Sequence, residues 1–242
     1  MVKQVNEQGR QAQVNDGQGD SKAIVTNQDG IHENLVTVVE KHLKHSFEKP
    51  YQAHTLAVFK ALDEKVKAWQ GEVILDACCG VGQSTRLLAK NNPNALVIGV
   101  DKSANRIARN VEEHFPVDLT GVSNYEIVRA NLNDFYRLVE QANWPVSKHY
   151  ILYPNPWPKS KHLQRRWHGA AVFPSIIKIG KTISLRSNWR LYLEEFQVAA
   201  QIAGRKGTIT DVALADNEVP FTPFEAKFIN SGQPCWQLEI GG

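Results

Sequence analysis

Two apolar runs flanking a glycine turn constrain this chain more than any other feature: VILDACC (73–79) and ALVIGVD (95–101), with CGVGQST following the first. Neither run alternates polar with apolar residues, so a strand made from either must be buried on both faces. Residues 84–90 between them have helical spacing, which makes the unit strand, turn, helix, strand. The alternation continues with a helix over 104–114, a strand YEIVRA (125–130), a helix over 134–141 and a strand HYILY (149–153). A helix over 170–178, a strand TISLRS (182–187) and an amphipathic helix over 189–202 follow. Buried strands alternating with helices predict an α/β fold with a parallel sheet covered on both faces. TDVAL (210–214) and CWQLEI (235–240) add two strands as a hairpin-like edge and bring the sheet to seven.

Upstream of the sheet, 34–45 and 53–69 read as amphipathic helices. Residues 1–22 are rich in Gln, Asn, Gly and Asp and cannot offset the entropy of ordering, so 1–33 is expected as a flexible tail and 34–242 as a single domain. With 42% hydrophobic and 22% charged residues the composition is that of a soluble globular protein. No run approaches the ~18 apolar residues of a membrane span, and the N-terminus has no apolar core of a signal peptide, so the expected location is the cytoplasm. The three cysteines lack ligand or disulfide spacing and are read as reduced core thiols. His42 and His45 lie one helical turn apart with no acid or cysteine to complete a set, so no metal is expected.

In such a sheet ligands gather outside the carboxyl ends of the strands. Gly80 and Gly82 would let the backbone approach a ligand closely, and Asp101, ending the second strand, is placed to accept from ribose hydroxyls. The dinucleotide fingerprint wants a third glycine where Thr85 stands, so a nucleoside without a pyrophosphate fits better. S-adenosyl-L-methionine (SAM) is such a ligand, with Asp76 near its amino acid end, Asp101 on the ribose, and Asn131 and Leu132 beside the adenine. A dehydrogenase is the reading from another class, but no Ser-Tyr-Lys or His-acid constellation supports it.

At the same edge, YPNPWPKSKHLQRRWHG carries Lys159, Lys161, His162, Arg165 and Arg166 with no acid among them. A charge run is ordinarily a solvated face. Placed beside an adenosine pocket, it is instead expected to hold phosphates, with Trp157 as an aromatic platform and prolines fixing the loop.

PNPWPKSKHLQRR resembles the P/S-D-P-W-P-K-x-R-H-x-K-R-R motif of the bacterial tRNA (guanine-N7)-methyltransferases, which are Rossmann-like SAM-dependent enzymes. Ser187-Asn188-Trp189 is similar to that family's Thr-Asp-Trp or Thr-Asp-Asn, and Thr222-Pro223-Phe224-Glu225-Ala226-Lys227 to its T-x-[FY]-E-x-[KR]. The resemblance runs from about Leu43 to Ile240. It implies a cytoplasmic RNA methyltransferase, monomer or homodimer, acting on tRNA or another RNA. It also implies that His162 and Arg165 serve RNA binding or catalysis, and that Thr222 and Glu225 sit at the SAM and guanine site.

Asn155 and Asn188 stand where the family carries aspartates, so the expected catalytic set is Asn155, Asn188, Thr222 and Glu225. Glu225 either supplies the missing acceptor or is a charge in the first turn of a helix. Three readings follow from the two asparagines: methylation of guanine N7 with Glu225 compensating, a changed target such as an exocyclic amine, or binding of SAM or RNA without turnover.

Overall fold

A computed structural model describes residues 21–109, 119–215 and 218–241. Seven strands form one sheet, β1 (Glu72–Ala77), β2 (Ala95–Asp101), β3 (Tyr125–Arg129), β4 (Val146–Leu152), β5 (Thr182–Ser187), β6 (Gly207–Asp211) and β7 (Trp236–Ile240), in the order β3-β2-β1-β4-β5-β7-β6. The first five are parallel, while β7 is antiparallel to both of its neighbours. The helices are α1 (Leu35–Lys44), α2 (Ala53–Ala68), α3 (Gln83–Asn91), α4 (Ala104–Ala108), α5 (Leu132–Gln141), α6 (Phe173–Lys178), α7 (Arg190–Ile202) and α8 (Pro223–Asn230).

The unbroken apolar runs are explained by two cores. Val73, Leu75, Leu96 and Ile98 face a large core shared with α1, α2, α5, α6 and α7, whereas Ile74 and Val97 face a smaller one under α3. Because successive strand residues point to opposite faces, both sets must be apolar. Gly99 makes the α3 side possible: a Cβ there would lie 2.2 Å from Thr85 Oγ1, so only glycine lets α3 settle onto β2.

Several expected boundaries move for local reasons. The first strand ends at Ala77 instead of 79 because Cys78 adopts φ 63°, and the fourth ends at Leu152 because Tyr153 adopts φ 50°. These left-handed positions break the ladder. The helix expected over 104–114 is seen as Ala104–Ala108, and 110–118 lie outside the described residues. The hairpin-like edge is corrected in one respect: β7 inserts between β5 and β6, with α8 in the connection. β6 also begins earlier than TDVAL, at Gly207, where a side chain would meet Glu239 O at 2.7 Å.

Of the expected tail, residues 1–20 lie outside the described residues. The part from Ser21 to His32 has no helix or strand, yet it is bonded into the domain. Thr26 Oγ1 donates to Pro158 O at 2.6 Å, and Gln28, 9% exposed, bonds Glu195 and Arg166. The domain edge expected at residue 34 therefore falls inside the packed unit, because polar side chains supply the anchorage that composition alone does not reveal. Among the described residues no helix is long and apolar enough to cross a membrane.

Candidate functional site

The glycine turn leaves β1 through three left-handed residues, Cys78 (φ 63°), Gly80 (62°) and Gly82 (83°), and Gly82 caps α3. Beneath it Asp76, with no exposed surface, accepts from Ser84 Oγ at 2.6 Å and Thr85 Oγ1 at 2.7 Å, both in the first turn of α3. Its second oxygen, Oδ1, is buried without a partner. Burial pushes the Asp76 carboxyl up to about 6, against the two hydroxyl bonds that lower it, and the Asp101 charge adds to the rise. Asp101 ends β2 and holds the turn: its Oδ2 accepts from Gly80 N at 3.2 Å and its Oδ1 from Ser103 N at 2.7 Å. Arg106 stands 3.5 Å away. Asn131 caps α5 by accepting from Asn133 N, and Leu132 is buried beside it.

The turn has the features a SAM site needs. A Cβ built at Gly80 meets nothing within 4 Å, so there is open space above the backbone, and the orphaned Asp76 Oδ1 lacks a donor. A nucleoside with a charged amino group supplies what both positions lack, without requiring a pyrophosphate site.

The basic loop leaves β4, the neighbour of β1, so it stands beside the glycine turn. Tyr153 (φ 50°) and Trp157 (φ 47°) bracket the proline-rich turn, and Asn155, exposed, accepts from Trp157 N at 3.3 Å. Ser160–Arg165 forms a 3₁₀ helix that aims Lys159, Lys161 and Arg165 outward, with the Arg165 guanidinium 4.8 Å from the Trp157 ring and His162 edge-on to it at 5.5 Å. Desolvation, then the charges of Arg165, Lys161 and Lys159, lower the His162 pKa.

Arg166 departs from its expected role. It has no exposed surface, and its guanidinium donates to Glu195 Oε2 at 2.5 Å, Gln28 Oε1 at 3.0 Å and Trp157 O at 3.2 Å. It fastens the loop from inside and does not face RNA. Glu195, His168 and Gln28, which complete this buried network, are functional neighbours that the sequence reading missed.

Thr222 and Glu225 stand together at the start of α8. Thr222 is the N-cap of α8, accepting from Glu225 N at 3.0 Å, and Glu225 returns a bond to Phe221 N at 2.5 Å. This is a variant of the capping box signalled by T-x-x-E, in which Glu225 accepts from the residue before the cap and not from the cap itself. The remaining oxygen of the wholly buried Glu225 accepts from Tyr153 Oη at 2.7 Å and Arg186 at 2.8 Å. Its carboxylate thereby joins β4, β5 and α8, with three of its acceptor sites in use. Asn188, just past β5, donates Nδ2 to Gln233 Oε1 at 2.9 Å. The edge thus gathers Asp76, Gly80, Gly82, Asp101, Asn155, Trp157 and Asn188, with Thr222 and Glu225 bonded to the ends of β4 and β5 beside them and Arg166 buried beneath the loop.

A groove of about 640 Å³ lies at the opposite edge, between the ends of α1, α5 and α6, and none of the expected site residues lines it. Among the described residues no group of three or more His, Cys, Asp or Glu is placed to hold a metal.

The sheet order, the glycine turn without a third glycine, and the acid ending β2 define a Rossmann-like methyltransferase fold. Solved structures share it: the 16S rRNA methyltransferase KamB aligns over 79% of this chain and 94% of its own with a TM-score of 0.52 at 14% identity. The antibiotic-resistance methyltransferase Kmr aligns over 74% and 90% with a TM-score of 0.51 at 16% identity. Residues 70–238 match the family Methyltransf_4, described as "Putative methyltransferase", and the chain belongs to it. Its relatives include the tRNA (guanine-N(7)-)-methyltransferase of Alkaliphilus oremlandii, 26% identical over 69% of this chain and 80% of that protein. The protein of the same name from Mycolicibacterium paratuberculosis is 33% identical over 71% of this chain and 62% of its own length.

Proposed function

We propose that the protein is a SAM-dependent methyltransferase acting on N7 of a guanine in tRNA. The observation that carries this reading is the adjacency, on β1 and β4, of a glycine turn with an unsatisfied buried acid and an outward-facing cationic loop built on an aromatic ring. Asp76 Oδ1 would take the amino group of SAM, Asp101 the ribose, and the Gly80 backbone would lie under the ligand. SAM supplies a methyl group on a sulfonium, which the N7 lone pair accepts as the carbon–sulfur bond breaks and the sulfur leaves as a thioether.

No base is needed to expose that lone pair, so holding the guanine in line with the methyl does much of the work. Lys159, Lys161 and Arg165 would hold phosphates, and Trp157 a base or ribose face. The names of the relatives support the tRNA substrate.

One observation favours a second reading. Asn155 and Asn188 are uncharged and the Glu225 oxygens are already bonded, so these positions offer no carboxylate to stabilise a cationic product base. An exocyclic amine, which ends neutral because it sheds a proton to solvent water as the new carbon–nitrogen bond forms, suits that environment.

Transfer of labelled methyl from SAM to unmodified tRNA, followed by nucleoside analysis, decides between them. Labelled 7-methylguanosine supports the first reading, and label on another nucleoside the second. Intact SAM binding without transfer to any RNA refutes both and leaves a binding protein.

A further inference from the structure

The segment from Ser21 to His32 bonds both the turn that holds Asn188 and the basic loop. At its start, Ser21 N donates to Ser231 Oγ at 3.2 Å and Ser21 O accepts from Gln233 Nε2 at 2.8 Å, the same Gln233 that holds Asn188. Five residues on, it reaches the basic loop. Thr26 Oγ1 donates to Pro158 O at 2.6 Å, and Ser160 N donates to Asn27 Oδ1 at 3.0 Å. Gln28 then enters the interior, donating to Glu195 Oε1 at 2.5 Å and accepting from Arg166, while His32 N donates to the same Glu195 oxygen.

The loop needs such partners. Pro154, Pro156 and Pro158 have no N–H, and the turn between Tyr153 and Trp157 pairs with no strand, so its backbone groups cannot satisfy one another by a ladder. Trp157 O and Lys159 O accept from Arg166, Pro158 O accepts from Thr26, and Ser160 N donates to Asn27. Arg166 is itself held by Gln28 and Glu195. The loop that carries the exposed cations is thus fixed on one side by an internal arginine and on the other by a strap from far away in the chain.

We propose that this strap is a positioning element for RNA: Thr26, Asn27 and Gln28 hold Pro158–Arg166 in one conformation, so that Lys159, Lys161 and Arg165 meet phosphates as a preset array. The proposal rests on the RNA methyltransferase reading. Its physical basis is that a loop ordered in advance loses less entropy when it binds. The strap residues touch neither the glycine turn nor Asp101 by any hydrogen bond described above, so their contribution belongs to RNA and not to SAM.

The test uses the full chain with Thr26→Val combined with Asn27→Ala, and Thr26→Ser as the conservative variant that keeps the hydroxyl donor. The double variant is expected to raise hydrogen exchange across 157–166 by about tenfold with exchange in β1 and α3 unchanged. It should also raise KM for tRNA about five- to tenfold, leaving kcat and KM for SAM at wild-type values, with Thr26→Ser close to wild type. Unchanged exchange in the loop overturns the proposal, as does faster exchange with an unchanged KM for tRNA. A wild-type protein that neither binds nor methylates RNA removes the functional reading instead, and the exchange comparison then decides alone whether the strap sets the loop.

Discussion

Arg165 and Arg166 are adjacent, identical in chemistry and opposite in expected phenotype. Arg166→Met removes a wholly buried guanidinium and leaves Glu195, itself without exposed surface, to His168, Gln28 and His32 N. In the intact protein burial pushes the Glu195 carboxyl up, but the hydrogen bond from His168, the Arg166 charge and the Gln28 bond outweigh it and hold the group at about 2. Breaking one side of a buried ion pair costs about 3–5 kcal/mol because the remaining charge is stranded. Against a typical total of about 5–15 kcal/mol, that is roughly a fifth or more of the stability of the fold. Urea unfolding followed by tryptophan fluorescence would read this as a clear fall in the midpoint at unchanged slope. Arg165→Ala, on the exposed face, should stay within about 0.5 kcal/mol of wild type.

Pairing Arg166→Met with Glu195→Met should recover much of the loss, since an apolar pair carries no stranded charge. Acid titration adds a second signature. The Glu195 carboxyl is lowered in the fold from its ordinary value of about 4.5, so the stability it contributes is present above 4.5 and lost as pH falls from there toward 2. In Arg166→Met this acid-induced loss should shrink. Loss of less than about 1 kcal/mol in Arg166→Met, with RNA affinity falling as far as in Arg165→Ala, would refute the buried-bolt reasoning and return Arg166 to the RNA face.

Asp76 carries the opposite sign: its carboxyl is raised to about 6 in the fold, so stability is lost as pH rises from about 3.8 through 6. Asp76→Asn should therefore be more stable than wild type at pH 7.5 by thermal melting while binding SAM more weakly, and wild-type SAM affinity should fall below pH 6; equal SAM affinity in the variant would exclude Asp76 from the cofactor site. Replacing Lys159, Lys161 and Arg165 together by Ala should weaken RNA binding and reduce the slope of log affinity against log salt by roughly 2–3, and an unchanged slope would show that the loop makes no phosphate contacts. Asn155→Asp with Asn188→Asp should raise the rate of tRNA methylation about tenfold if a carboxylate stabilises the cationic product, as kcat on purified tRNA would report, whereas no gain favours the second target class.

The sheet was legible because its strands are buried on both faces, so VILDACC and ALVIGVD could be little else. The glycine turn and Asp101 were legible for a related reason, since their spacing ties a backbone approach to an acid one strand away. Cys78 and Tyr153 were not: nothing in a single sequence marks a non-glycine residue for left-handed φ. Arg166 was misjudged because neighbouring basic residues look alike until a 3₁₀ turn points one inward, where Glu195 waits 29 positions downstream. Glu225 was an open choice that its own sequence could have narrowed, as Thr222-x-x-Glu225 is a capping-box pattern whether or not a ligand is near. The strap lay hidden in polar composition, because Thr26, Asn27 and Gln28 act through single hydrogen bonds that leave no periodic trace.

The placement of β7 between β5 and β6 has a consequence for synthesis. β6 is made first and finds no partner until about 25 further residues have followed, because β7 alone bridges it to β5. During that interval the outer edge of β5 is bare, and Arg186, which ends in contact with both Glu225 and Gln237, has neither in place. An open strand edge invites pairing with other chains. The newborn protein is therefore most exposed to misassembly just before β7 joins β6 to the rest of the sheet.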